Sequence, residues 1–268
     1  MAAFQIVSDL HLESPPAYDT FQIIPAAPYL ALLGDIGVIK DDGFFSFIEA
    51  QLHNFEIVFF LLGNHEPYHS SWKVTKARVS NFASSIDQQR LVQHGLGRFV
   101  FLDQTRYDLS PKVTVLGCTL YSKVSETHRK SVSFGINDFY YIEDWAVDDH
   151  NAAHNADLKW LNDQVTSIAA SEPQRKVVIF THHSPVAGDM RANDPKHANS
   201  PLSSGFATDL STQECWKTPR VRLWAFGHTH YNAHFTEEEE TGKLVISNQR
   251  GYYFRQADGF DPEKAVHI

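Results

Sequence analysis

Short apolar runs recur along the chain, and most of them show no alternation with polar residues. They are rich in Val, Ile, Leu and Phe, a pattern typical of strands that are buried on both faces. We therefore predict strands at Phe4–Val7, Tyr29–Leu33, Ile57–Leu62, Val113–Leu116, Lys176–Phe180, Val221–Phe226 and Leu244–Ile246.

Helical spacing of apolar residues separates several of these runs. Phe44–Leu52 and Trp72–Ile86 show this spacing, and Asn151–Ala170 shows it most clearly because four apolar residues form one stripe: Leu158, Leu161, Val165 and Ile168. Strands that alternate with helices predict an α/β sandwich.

The C-terminal part of the chain has a different pattern. Val221–Phe226, Ala233–Thr236 and Leu244–Ser247 are predicted to be successive strands joined by tight loops. The polar segment Glu237–Gly242 is expected to be a hairpin tip, and its acidic run indicates a solvated loop rather than a cation site.

The chain of 268 residues is long enough for one large domain with a buried core. We find no internal repeat, low-complexity segment or linker, and we predict a single domain over residues 1–268. Two irregular stretches, Tyr121–Trp145 and Ser184–Thr208, are candidates for the substrate surround because long loops in compact domains are often functional.

Charge and cysteine content restrict the class of protein. The formal net charge of -9 disfavours a polymeric nucleic acid as partner, since such binding needs a basic face. A small phosphorylated substrate stays compatible, because bound metal reverses the local sign of charge. Two cysteines favour a reducing compartment. Without a signal-peptide pattern or a long apolar segment, we expect a soluble cytoplasmic protein with no membrane partner. The sequence does not predict the oligomeric state.

Carboxylate, amide and imidazole side chains stand where the apolar runs end. Five groups have this placement: Asp9-Leu10-His11, Gly34-Asp35, Gly63-Asn64-His65-Glu66, Thr181-His182-His183 and Gly227-His228-Thr229-His230. Each group alone is a weak signal. Together, at the ends of successive strands on a rigid scaffold, they indicate a site with two metal ions.

Residues two apart in an extended segment point the same way, so Asp9 and His11 can share one ion, as can His228 and His230. A carboxylate can bridge two cations, and Asp35 is the candidate. We expect one ion to be held by Asp9, His11, Asp35 and His230. The other is expected to be held by Asp35, Asn64, His182 and His228.

This donor set predicts both the metal and the reaction. Nitrogen and oxygen donors without thiolate favour Mn, Fe, Zn or Ni over Mg or Ca. Two ions about 3.5–4 Å apart can hold a bridging hydroxide as nucleophile and clamp the phosphoryl oxygens of an in-line displacement. His65 lies next to a ligand and is free to protonate the leaving oxygen.

These motifs resemble the calcineurin-like metallophosphoesterase superfamily. Further stretches are similar to an intracellular subgroup of it: Gly117-Cys118-Thr119-Leu120-Tyr121, Asn137-Asp138-Phe139, Ser247-Asn248-Gln249-Arg250-Gly251-Tyr252 and Gly259-Phe260-Asp261-Pro262. The resemblance implies a four-layer α/β/β/α sandwich, a dinuclear site at one edge of the paired sheets, and hydrolysis of phosphomonoesters or phosphodiesters.

Several roles stay open. By analogy with the superfamily, His182 is favoured over His183 as ligand, and His183 would then support a ligand or contact substrate. Arg250 could hold a substrate phosphate or form a surface salt bridge, and Arg191 could attract an anionic substrate or lie in a solvated loop. Glu66 could orient His65, be solvated or start a helix.

The sequence thus predicts a dinuclear metal-dependent phosphohydrolase, with small phosphodiesters favoured as substrates. The alternative is a phosphomonoesterase that acts on a metabolite or a phosphoprotein. A non-catalytic scaffold of the same fold is disfavoured because no predicted ligand is missing. A nuclease on polymeric substrate is disfavoured by the acidic balance.

Overall fold

Strands and helices alternate through most of the protein, whose computed structural model describes residues 1–237 and 241–268. The strands in this part of the chain are β1 (Ala3–Val7), β2 (Tyr29–Leu33), β3 (Ile57–Leu61), β4 (Arg98–Phe101), β5 (Thr105–Ser110), β6 (Val113–Cys118), β7 (Lys176–Thr181), β8 (Val221–Phe226), β9 (His234–Glu237), β10 (Lys243–Ser247), β11 (Gly251–Tyr252), β12 (Arg255–Gln256) and β13 (Ala265–His267). The helices are α1 (Gly43–Gln51), α2 (Trp72–Val92), α3 (Arg129–Gly135), α4 (Asp138–Tyr141), α5 (Val147–Ser171) and α6 (Glu214–Lys217).

Two large mixed sheets contain most of these strands. In the described residues the first sheet has the order β13-β1-β2-β3-β4 and the second has the order β5-β6-β7-β8-β10-β9. Strands β1 to β4 are parallel, as are β6, β7, β8 and β10, whereas the edge strands β13, β5 and β9 are antiparallel to their neighbours. Parallel strands bring their carboxyl ends to the same edge of a sheet, which is where ligands bind in open α/β sheets.

Alternate residues of each strand enter different cores. In β1, Phe4 and Ile6 belong to the core between the two sheets, while Val7 belongs to the core on the outer face of the first sheet. The central core joins the sheets through aromatic contacts, such as Phe4 with Phe180 at 5.5 Å between ring centroids. Burial on both faces explains why the strands are continuous apolar runs.

Helices cover both outer faces. On the first sheet, α1 contributes Phe44 and Ile48 and α2 contributes Val79 to the outer core. On the second sheet, α5 buries Leu161 and Val165 from its predicted stripe. The order of layers is therefore helix, sheet, sheet, helix, and the predicted four-layer α/β/β/α sandwich is confirmed.

Local hydrogen bonds account for the starts of the two long helices, of which α2 begins at the predicted residue and α5 does not. α2 begins after Ser71, whose hydroxyl accepts from Val74 N at 3.3 Å. α5 begins at Val147 rather than Asn151, because the Asp149 carboxylate accepts from Ala146 N at 3.0 Å and satisfies a free backbone donor.

The remaining differences concern short or polar segments. β4 and β5 were not predicted, since β4 has four residues and β5 is polar and partly exposed. The irregular stretch Tyr121–Trp145 contains the short helices α3 and α4. In the predicted hairpin tip Glu237–Gly242, residues 238–240 lie outside the described residues, although β9 and β10 do pair as a hairpin. Every helix over the described residues is too short or too polar to traverse a bilayer.

The central core predicts a large loss of stability on truncation of Phe180, which is fully buried between the sheets. Phe180→Ala should lower the free energy of unfolding by about 3–5 kcal/mol, because it removes apolar contacts and leaves a cavity. Urea denaturation measures this loss. The control is Phe254→Ala, whose ring is 89% exposed and whose change should stay within about 0.5 kcal/mol. Equal losses for the two variants would contradict this view of the core.

Candidate metal centre

The loops that follow β1, β2, β3, β7 and β8 bring the predicted ligands together. Ligand atoms of Asp9, His11 and His230 lie within 4.8 Å of one another, and so do those of Asp35, His182 and His228. These two clusters match the two ligand sets predicted from the sequence, apart from Asn64 and the bridging position of Asp35. Both clusters lie at the carboxyl ends of parallel strands.

The convergence of these ligands has a different cause from the one we predicted. Asp9 and His11 do not lie in an extended segment, and neither do His228 and His230, because β1 ends at Val7 and β8 ends at Phe226. The predicted reason for their convergence is therefore wrong. The ligands instead adopt positive φ, the left-handed region: Asp9 (53°), His11 (47°), Asp35 (51°), His228 (72°) and His230 (48°). Asp and His tolerate this region better than most residues, but each instance costs about 1–3 kcal/mol. The surrounding contacts must therefore hold these turns in place.

Two glycines allow the loops to approach one another. Gly34 has φ +86°, and a Cβ atom there would lie 2.6 Å from His182 Nδ1. A Cβ atom on Gly227 would lie 2.6 Å from Asp9 Oδ2. These positions require glycine because larger residues would push the ligand-bearing loops apart.

The cluster around His182 places lone pairs opposite one another. His182 Nδ1 lies 2.8 Å from the Leu33 carbonyl oxygen, an acceptor, so this nitrogen carries the proton and Nε2 carries the lone pair. Nε2 then faces two oxygen acceptors, Asn64 Oδ1 at 3.2 Å and Asp35 Oδ1 at 3.6 Å. These three buried acceptor atoms point at the same position. They cannot hydrogen-bond to one another, and they suit a bound cation.

The cluster around His11 also brings imidazole nitrogens and carboxylate oxygens together. His11 Nδ1 lies 3.4 Å from Glu13 Oε1, so its proton faces the carboxylate and Nε2 carries the lone pair. His11 Nε2 lies 2.9 Å from His230 Nε2, which in turn is 3.3 Å from Asp9 Oδ1. Asp35 Oδ2 lies 4.0 Å from His11 Nε2, so the two oxygens of Asp35 face the two clusters, as a bridging ligand requires.

Neighbouring residues orient the Asn64 amide. Asn64 Nδ2 donates to Asp138 Oδ1 at 2.7 Å and to Tyr68 OH at 3.1 Å, and Tyr68 OH donates to the same carboxylate at 2.8 Å. Because the amide nitrogen is held on this side, Oδ1 must face His182. Asp138 and Tyr68 thus fix the orientation of the predicted ligand atom of Asn64.

Glu66 is fully buried and holds two ligand loops together. Its carboxylate accepts from three backbone N–H groups, at Asp35 (3.1 Å), Ile36 (2.8 Å) and Gly63 (2.7 Å). Its contacts are therefore to the loops after β2 and β3. None of the open interpretations of Glu66 describes them: it does not orient His65 through these contacts, it is not solvated and it does not start a helix.

Electrostatics also fit bound cations. Burial, together with the charges of Glu66 and Asp9, raises the pKa of Asp35 well above its ordinary value. Burial lowers the pKa of His11 and of His182 to about 4, so both imidazoles are neutral at physiological pH. Neutral imidazoles are the form that binds metal, and cations would relieve the crowding of buried carboxylates.

His65 is buried beside the two clusters, with its Nε2 at 4.0 Å from Asp35 Oδ2. Its Nδ1 lies 2.8 Å from Glu13 Oε1, its Nε2 lies 3.3 Å from Tyr252 OH, and its backbone N–H donates to Asp35 Oδ1 at 2.8 Å. Neither Glu13 nor Tyr252 is among the predicted site residues. The spacing Asp9-x-His11-x-Glu13 was the available signal for Glu13, and the tail motif that ends at Tyr252 was the signal for the tyrosine.

The remaining predicted residues lie outside the two clusters. His183 is buried, and its ring packs on His228 at 4.2 Å and near Tyr121 at 6.0 Å, so His182 rather than His183 faces the other ligands. Arg250 donates to the Leu10 carbonyl at 2.9 Å and braces the turn between Asp9 and His11. Its substrate contact stays a prediction.

Arg191 is an exposed side chain engaged in surface ion pairs. Its guanidinium lies 2.6 Å from Asp189 and 2.9 Å from Glu237, and it stacks over Phe235 at 4.2 Å. The predicted role of Arg191 with substrate is not tested by these contacts and stays a prediction.

A four-layer sandwich with two clusters of His, Asp and Asn donors at the strand ends defines a dinuclear metallohydrolase. The family model for calcineurin-like phosphoesterases matches residues 4–232 of this chain. The chain therefore belongs to the calcineurin-like phosphoesterase family, and it is a metal-dependent phosphoester hydrolase.

Three relatives extend the comparison. Uncharacterized protein L509 of Acanthamoeba polyphaga mimivirus is 27% identical over 290 residues, which cover 100% of this chain and 97% of that protein. Among solved structures, phosphopantetheinyl hydrolase (PptH) from Mycobacterium tuberculosis has a TM-score of 0.61 at 16% identity, covering 99% of both chains. A dimetal phosphatase from Danio rerio has a TM-score of 0.52 at 15% identity, covering 92% of this chain and 86% of that one. At these identities the two structures show the shared fold.

The bracing of Asn64 predicts that Asp138 controls metal affinity. Asp138→Ala should weaken binding of the ion at Asn64 by about 10- to 100-fold, because loss of the carboxylate frees the amide to rotate. Titration of the chelated protein with Mn²⁺, followed by calorimetry, measures the affinity. Asp148→Ala is the control, since that carboxylate pairs with Arg129 on the surface. Unchanged Mn²⁺ affinity in Asp138→Ala would show that Asn64 needs no such support.

Proposed function

We propose that this hydrolase cleaves small phosphodiesters in the cytoplasm, with Mn, Fe or Zn as the metal pair. The observation that supports a diester most directly is the position of the two candidate arginines. Arg250 donates to the Leu10 carbonyl and Arg191 pairs with Asp189 and Glu237, so each guanidinium already has a protein partner other than a predicted ligand.

The position of these two arginines bears on the charge of the substrate. A phosphomonoester is largely a dianion at neutral pH, whereas a phosphodiester carries a single negative charge. Enzymes that bind highly charged phosphoryl groups commonly use arginine, which donates two parallel hydrogen bonds. Because both candidate guanidinium groups already hold other partners, this arrangement favours the less charged ester.

The predicted ligands form two sets, one for each ion. Asp9, His11 and His230 would hold one ion, Asn64, His182 and His228 would hold the other, and Asp35 would contact both. When bound, such a pair supplies a nucleophile from water at neutral pH and neutralises charge on the phosphoryl oxygens.

Acid catalysis is assigned to His65. Glu13 lies 2.8 Å from Nδ1, so the proton on that nitrogen faces the carboxylate and Nε2 is directed to the other side of the ring. In its protonated form, His65 donates from Nε2 to the leaving oxygen, and Glu13 stabilises the positive imidazolium. Glu13 thus acts through His65 and is a positioning residue.

The ester preference is testable with two chromogenic substrates. Purified protein loaded with Mn²⁺, and the same protein after chelation, should be assayed on bis(p-nitrophenyl) phosphate and p-nitrophenyl phosphate. We expect metal-dependent release from the diester at a kcat/KM at least about 10-fold above that of the monoester, since one unit of substrate charge is avoided. Asp35→Asn is the control and should abolish both activities. A monoester preference would contradict the diester proposal and favour a phosphatase of metabolites or phosphoproteins.

The acid role of His65 predicts dependence on the leaving group. His65→Ala should reduce kcat by about 10²–10⁴-fold for a diester with an alkyl leaving group, which needs protonation. The same variant should lose far less on bis(p-nitrophenyl) phosphate, whose leaving group departs as a stable phenolate. Glu13→Gln should show the same selectivity to a smaller degree. Equal losses on both substrates would remove the acid role of His65.

A further inference from the structure

The hairpin formed by β11 and β12, residues Gly251–Gln256, carries three exposed aromatic residues, Tyr252, Tyr253 and Phe254, of which Tyr252 contacts the candidate metal centre. We propose that the hydroxyl of Tyr252 donates a hydrogen bond to the leaving-group oxygen, as a second donor beside His65. This inference rests on the proposed function, because it assumes that His65 faces the leaving group.

Backbone hydrogen bonds fix the hairpin to the ligand loop after β1. Gly251 N donates to the Asp9 carbonyl at 2.9 Å, and Arg250 N donates to the Ser8 carbonyl at 3.1 Å. At its other end, Ala257 N donates to the Arg250 carbonyl at 2.8 Å. The hairpin therefore has a defined position relative to Asp9, and it is not a free surface loop.

The ring of Tyr252 lies directly over the first ligand cluster. It stacks on the His11 ring at 4.2 Å with an interplanar angle of 29°, and it meets the His230 ring edge-on at 4.9 Å. These contacts hold the ring while 40% of the residue stays exposed. Tyr252 thus forms a wall of the site that a substrate can reach from solvent.

The hydroxyl of Tyr252 reaches the nitrogen that is assigned to catalysis. Tyr252 OH lies 3.3 Å from His65 Nε2, while the opposite ring nitrogen of His65 is held by Glu13. An oxygen that accepts from Nε2 must approach this same position, and two donors 3.3 Å apart can both contact one oxygen atom. The negative charge that develops on the leaving oxygen strengthens such a bond in the transition state.

A purely structural role for Tyr252 makes different predictions. If the hydroxyl only fixes the His65 ring, its removal matters only while His65 is present. If the hydroxyl contacts the leaving oxygen, its removal slows the reaction even without the imidazole. A double-mutant cycle separates these two cases.

The experiment uses Tyr252→Phe, which keeps the ring on His11 and removes only the hydroxyl. Each of four Mn²⁺-loaded proteins is assayed on bis(p-nitrophenyl) phosphate and on methyl p-tolyl phosphate: wild type, Tyr252→Phe, His65→Ala and the double variant. We expect Tyr252→Phe to reduce kcat on the poorer substrate by about 10- to 100-fold, the range for a hydrogen bond to a charged group. The loss should be smaller on the nitrophenyl diester, and it should persist in the His65→Ala background.

Tyr253→Phe is the matched control, because it removes a neighbouring hydroxyl from the same hairpin, and its kcat should equal that of wild type. An unchanged kcat in Tyr252→Phe would overturn the inference while the proposed function stands. A loss that disappears in the His65→Ala background would also overturn it and make Tyr252 a positioning residue. A wild type inactive on both diesters would overturn the proposed function and this inference with it.

Discussion

The protein depends on a set of buried acceptor atoms that face one another across a small space. His182 Nε2 faces the oxygens of Asn64 and Asp35. Unpaired lone pairs and carboxylates are costly to bury, and cations turn this unfavourable arrangement into a favourable one. Metal bound at this site would therefore also stabilise the fold that brings these residues together.

The rest of the fold holds this arrangement against strain. The parallel strands bring five loops to one edge, where several ligands are held at positive φ. Glu66 fastens the loops after β2 and β3 through three backbone N–H groups, and Gly34 and Gly227 remove the Cβ atoms that would separate the loops. Apolar packing in the core between the two sheets offsets the free-energy cost of these strained turns.

The sequence predicts the scaffold well and identifies the residues that cluster at the strand ends, and it predicts the residues around them poorly. Buried strands and amphipathic helices leave apolar patterns, so the four layers could be recognised from the sequence. Asp35 and His182 could be recognised because they end such strands. Glu13 and Asp138 act through contacts between segments far apart in the chain, such as Asp138 with Asn64, and no local pattern encodes these pairs. The left-handed turns at Asp9 and His228 were also missed, because local propensity favours an extended continuation of the strand.

The central claim is that this edge of the sheets binds two metal ions bridged by Asp35. A crystal structure of the Mn²⁺-loaded protein, with anomalous scattering recorded above and below the manganese edge, tests it most directly. The account predicts two anomalous peaks about 3.5–4 Å apart, one contacting Asp9, His11 and His230 and the other Asn64, His182 and His228. The atoms of His11, Glu13 and His65 also lie within 4.8 Å of one another. A single peak would contradict the account. A peak held by Glu13 and His65 would also contradict it, and it would remove His65 from acid catalysis.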